Sequence, residues 1–144
     1  MKAMVKAILV GLLMMSFCAT YTMLGLSEAE KDYYRVVMKF PTTFRVPKEA
    51  DKEAWMRAHK WITNYSRRPI IVANERVIQT TIPKPSDPNT DRGYIVYRND
   101  DEDSTVYSVD CYSMDLFTEP GIRAAHILAY YIATGGMVEK VFRQ

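Results

Sequence analysis

The first hydrophobic stretch of this chain has no period: no charged residue occurs from Ala7 to Leu26, and apolar and polar positions begin to alternate only beyond Glu28. An uncharged run of about 20 residues is long enough to cross a bilayer as a helix. After it, Tyr34, Val36, Met38 and Phe40 alternate with Tyr33, Arg35, Val37 and Lys39, which predicts a half-buried strand over 33–40. The connection that follows has room for a short strand at Phe44–Val46. The period then becomes helical over 48–66. Ala50, Ala54, Trp55, Ala58, Trp61, Ile62 and Tyr65 fall in one arc, and Lys52, Glu53, Met56, Arg57 and Lys60 occupy the rest of the circumference. Pro47 suits the start of this helix, and Pro69 forces a stop before it.

Two β-rich runs, Ile70–Ala73 and Val77–Ile82, flank Asn74-Glu75 and read as one bent strand or a tight hairpin. Residues 83–93 hold prolines, Asp and Asn in the mixture that forms loops. Tyr94–Arg98 and Ser104–Met114 are two more strands, joined by the polar connection Asn99–Asp103. A second helix runs from Glu119, with Thr118 or Glu119 as its cap, to Gly135-Gly136. Only Arg123 and His126 interrupt its apolar character, so most of its surface must be buried. One sheet cannot cover it all. The remainder needs the first helix, a partner chain or the membrane.

These elements predict an α+β domain in β-α-β-β-β-α order, an antiparallel sheet of about four strands with two helices on one face, preceded by an N-terminal hydrophobic helix. The organisation expected is a signal anchor or signal peptide over 1–27 and a single exported domain over 28–144. Lys2 and Lys6 place the N-terminus on the cytoplasmic side, so the domain is expected outside the cytoplasm, anchored by 7–26 or released to the periplasm after cleavage. Ser16-Phe17-Cys18 and Cys18-Ala19-Thr20 are poor cleavage sites, and Phe17 before Cys18 argues against lipidation. Setting Lys2 and Lys6 aside leaves 17 basic residues against 17 acidic ones, so charge gives no support to a nucleic-acid partner. With Cys18 in the leader, Cys111 stands alone and no internal disulfide can form in the exported part.

Candidate chemistry is sparse. Cys111 with His126 or His59 as base would make a small hydrolase, but Cys111 alternates with Tyr107 and Val109 and reads as a buried hydrophobe. Asp87, Asn89 and Asp91 alternate like the first ligands of a calcium loop, yet Gly93 comes one place late and Arg98 stands where the bidentate Glu belongs. Arg67 and Arg68 follow the first helix, where they complement its dipole or could meet an anionic partner. No cofactor is expected. The function expected is a non-catalytic protein-interaction domain of the cell envelope. It would meet a protein partner or a second copy through the sector of the second helix that carries Ile127 and Tyr131, with the Cys111 hydrolase as the alternative.

Overall fold

The computed structural model describes residues 25–86, 91–113 and 119–137. Residues 7–24 of the apolar run lie outside them, and no helix among the described residues is long and apolar enough to cross a membrane. The chain divides into two compact units, one of residues 1–35 and 138–144 and the other Val36–Met137.

The first described element corrects the strand expected over 33–40: it is a helix, α1 (Glu28–Lys39). Its start is a capping box. Ser27 N–H donates to Glu30 Oε2 at 2.7 Å, and Glu30 N–H donates to Ser27 Oγ at 3.3 Å. Lys31–Glu28 and Arg35–Asp32 pairs run along its exposed side. The apparent alternation over 33–40 had apolar residues on both sides, and a helix reads it differently: Val36 is 55% exposed whereas Val37 is buried.

The second unit continues with β1 (Thr43–Pro47), α2 (Lys48–Tyr65), β2 (Ile70–Ala73), β3 (Val77–Thr80), β4 (Gly93–Asp100), β5 (Ser104–Tyr112) and α3 (Glu119–Thr134). The architecture is α+β, with five antiparallel strands rather than four, in the order β1-β5-β4-β3-β2. Losing the strand over 33–40 is more than compensated, because Thr43–Pro47 pairs with β5 and the run 70–82 is a hairpin of two strands. That hairpin turns on Asn74, whose Oδ1 accepts the N–H groups of Arg76 and Val77 at 2.8 and 2.9 Å. Gly93 opens β4 where a Cβ would stand 2.7 Å from the Thr81 carbonyl oxygen, so the close approach of two backbones requires glycine there.

One face of the sheet carries Phe44, Ile78, Val96, Tyr107 and Val109, all buried. Phe44 stacks on Tyr107, its register partner, at 5.6 Å and meets Phe40 at 5.3 Å. Phe40 in turn meets Tyr130 of α3 edge-on, and Tyr107 meets Trp55 of α2. Both long helices of this unit therefore cover the same face. α2 buries Ala54, Ala58, Trp61 and Ile62, the arc expected from its period, while Tyr65 at its end is exposed.

The C-terminus of α3 is closed by a side chain from α2. Arg57 Nε donates to the Ile132 carbonyl at 2.8 Å and Nη2 to the Ala133 carbonyl at 3.2 Å, while Nη1 holds Glu53. Helix-end carbonyls lack intrahelical partners, and a guanidinium satisfies them and complements the dipole. Gly135, at φ +74°, takes the left-handed turn that ends the helix.

Trp61 is 2% exposed and Met56, on the other side of α2, is 55% exposed. Trp61→Ala is expected to lower stability by about 3–5 kcal/mol, and Met56→Ala by under about 0.5 kcal/mol. Urea unfolding of the two variants checks the difference, and equal losses would refute the helical register.

Candidate functional site

Polar side chains inside the second unit converge on one place. Asp51, in the first turn of α2, is 7% exposed. Arg98, on β4, donates from Nε to Asp51 Oδ1 at 3.0 Å and from Nη2 to Oδ2, a two-pronged contact. Its remaining nitrogen, Nη1, donates to the Glu75 carbonyl in the β2–β3 turn at 2.9 Å. The Tyr107 hydroxyl, from β5, donates to Asp51 Oδ1 at 2.7 Å. Arg98 also lies over the Trp55 ring, 5.6 Å from its centroid, a cation–π contact. Register explains the meeting of Arg98 and Tyr107, which are direct partners across β4 and β5 on the face that α2 covers.

The electrostatics are those of a mutually satisfied pair. The hydrogen bond from Arg98 holds the Asp51 carboxyl below its ordinary value against the opposing effect of burial, and Tyr107 lowers it further. Asp51 in turn raises Arg98. Burial, followed by the bond to Asp51, pushes the Tyr107 phenol well up. A carboxylate that accepts from both an arginine and a tyrosine is a poor proton acceptor. The arrangement anchors a helix to a sheet.

The residues singled out from the sequence are spread over the unit. Cys111 lies on the same face of β5 as Tyr107 and Val109 but is half-buried, opposite Tyr94 on β4, and burial pushes its thiol up to about 12. Arg92, Tyr94 and Asp110 are the groups that act on the thiol, and neither histidine is among them. His126 Nδ1 lies 2.7 Å from the Phe40 carbonyl oxygen, and since a carbonyl only accepts, that nitrogen carries the hydrogen. His59 sits edge-on to Trp55 at 5.2 Å, and burial lowers it. Asp87 and Asn89 lie outside the described residues. Asp91 is engaged by the two arginines that follow α2: its carbonyl accepts from Arg68 Nε, and its carboxylate is 4.0 Å from Arg67. Arg68 is thus buried and ties the loop to the end of α2, while the Arg67 side chain is 84% exposed. No group of three or more His, Cys, Asp or Glu among the described residues is placed to hold a metal ion.

The sector of α3 assigned to a partner is covered from within the chain. Ile127 is 7% exposed, and Tyr131, one turn on, packs against Trp61 of α2 at 5.5 Å. The apolar excess of α3 arises because it lies across β5 and against α2 at once, and also touches β1. Ile122, near the start of α3, is 53% exposed, and further exposed apolar surface lies on the sheet. Ile70 and Ile71 of β2 are 40% and 56% exposed, on a strand that pairs only with β3 among the described residues.

Compared with known protein families, curated proteins and solved structures, the chain matches none.

Two outcomes test this site. The folded-state value of Asp51 lies below the 3.8 of a free carboxyl, so its stabilisation is complete above about pH 5 and is lost as pH falls through the folded-state value. Arg98→Met is expected to lower stability at neutral pH by about 3–5 kcal/mol, because it strands a buried charge. It should also flatten the acid limb of the stability curve, which unfolding at neutral pH and at acid pH compares. Separately, Cys111 is expected to resist iodoacetamide at neutral pH until denaturant is added, as mass spectrometry of the alkylated protein will show. Labelling of the folded chain would refute the buried-hydrophobe reading.

Proposed function

We propose that this chain is a non-catalytic protein-interaction domain, carried outside the cytoplasm on its N-terminal apolar segment, and that its interaction surface is the free edge of the sheet at β2. The observation that carries this reading is the exposure of Ile70, Ile71 and Ala73, with Val72 half-buried, along β2. Four uncharged residues of high or tolerated β propensity form an outer strand with no helix or strand over its free edge among the described residues. Folded proteins ordinarily blunt such edges with charge, proline or a covering element. Both edge strands have a proline at one end, Pro47 in β1 and Pro69 just before β2, but only β1 carries a charge within the strand, Arg45, which is held by Asp101 and Ser104. An edge left apolar is the surface that an added strand from another chain would use.

The groups with chemical capacity support the same reading. Asp51, Arg98 and Tyr107 are committed to one another, Arg57 closes α3, and Arg68 holds the 91 carbonyl. The location outside the cytoplasm rests on Lys2 and Lys6 before an uncharged run.

Photocrosslinking in intact cells tests this reading. A benzophenone side chain replacing Ile71 in the full chain should yield discrete protein adducts, and the same group at Lys52, on the polar side of α2, should yield none. No adduct at 71 would overturn the proposal. Met56→Cys should react with a membrane-impermeant maleimide once only the outer barrier is opened. Labelling that requires lysis of the inner membrane would overturn the location.

A further inference from the structure

We infer that the β2–β3 hairpin opens as a unit while the rest of the sheet stays closed, and that the Arg98 guanidinium is the latch that holds it shut. The inference concerns this chain alone and requires no partner at the edge. Folded domains open in contiguous cooperative pieces, and a piece with few buried contacts opens at the lowest cost. Among the strand residues of this hairpin only Ile78 and Thr80 are buried. β2 pairs only with β3 among the described residues, and β3 meets β4 over a short ladder, Val77 with Tyr97, Ile78 with Val96 and Gln79 with Ile95. The two helices approach β5 and β1 most closely, on the other side of β4. A hairpin of this length is marginal without further support.

Its two ends are supported differently. At the open end, Thr80 Oγ1 accepts the Tyr94 N–H at 2.9 Å, and the Thr81 N–H closes onto the Pro69 carbonyl at 3.0 Å. At the turn, one residue supplies two ties. The Arg98 N–H donates to the Arg76 carbonyl at 2.8 Å, and Arg98 Nη1 donates to the Glu75 carbonyl at 2.9 Å.

The second of these ties is conditional. A guanidinium is a rigid planar fork, and here Nε and Nη2 are set by the two Asp51 oxygens, with the plane lying over the Trp55 ring. That orientation aims the remaining nitrogen at the turn. Losing either prong frees the plane to rotate, and the Glu75 carbonyl, which is at the surface, turns to water instead. The pairing of a buried carboxylate is thereby transmitted to the tip of an exposed hairpin. Opening the hairpin breaks the Glu75 bond but leaves Asp51 paired with Arg98 and Tyr107, so the core of the unit stays closed.

Hydrogen exchange of the full chain in detergent micelles, read by mass spectrometry on peptides covering 70–81 and 104–112, tests this. In the parent, amides of 70–81 should exchange through an opening that depends weakly on added urea, whereas those of 104–112 await global unfolding and depend on it steeply. Ile132→Val, a small core deletion in α3, should speed 104–112 at least about two-fold and leave 70–81 unchanged. Tyr107→Phe should act in the same way, because the bond it removes is still made when only the hairpin is open. Arg98→Lys keeps a positive charge beside Asp51 but has no plane to aim at Glu75, and should speed 70–81 at least about five-fold.

If 70–81 follows 104–112 in urea dependence and in Ile132→Val, the hairpin opens only with the whole unit and the inference fails. If 70–81 opens separately but does so equally fast in Arg98→Lys, or as fast in Tyr107→Phe as in Arg98→Lys, Arg98 is not the latch. A hairpin that proves closed leaves the interaction reading standing, and an absent adduct at 71 leaves this one.

Discussion

A carboxylate placed under a helix must be paired, and that requirement organises this fold. Asp51 is taken out of water by α2 and the sheet, and an isolated buried charge would cost several kcal/mol. Arg98 and Tyr107 remove that cost by meeting both carboxylate oxygens from adjacent strands. The consequence is geometric. The first turn of α2 cannot slide or rotate on the sheet without separating the pair, so the helix has one register against β4 and β5. The third arm of Arg98 extends the constraint to the Glu75 carbonyl and so to the β2–β3 turn. A hairpin of two short strands is marginal alone, and this one is held both by its pairing with β4 and by a guanidinium at its turn.

A second arginine does for α3 what Arg98 does for α2. Arg57 satisfies the carbonyls of Ile132 and Ala133 from the neighbouring helix, joining the two helices by polar contact where Trp61 and Tyr131 join them by packing. An almost wholly apolar helix is thereby covered over most of its surface from within the chain, with Ile122 left exposed. Sheet, α2 and the Phe40 region between them account for the burial of its other apolar residues, and the rim of the sheet carries exposed apolar residues as well.

There the two edges differ in kind. β1 carries Arg45 in an ion pair, whereas β2, between Pro69 and the turn at Asn74, presents exposed isoleucines and no charge of its own. The hairpin that carries this open edge is the one that Arg98 holds, so the buried ion pair sets the position of the surface proposed for interaction. Stability and interaction meet in the same residue.

Local pattern was enough to determine α2, α3 and the β4–β5 hairpin, because each depends on periodicity or turn chemistry within a few residues. It was enough, too, to place Trp61, Ile62, Tyr107 and Val109 inside. The alternation over 33–40 is too short to separate a period of 2 from one of 3.6, and the capping box of Ser27 and Glu30 that starts α1 went unused in the strand reading. The polar interior could not be read this way. Asp51 lies 47 residues from Arg98 and Arg57 lies 75 from Ile132, and along the chain each looks like one more charge on a solvated helix. Nor does an apolar helix declare what covers it. Those assignments belong to tertiary structure, since a charge is buried or exposed according to which distant group arrives to satisfy it.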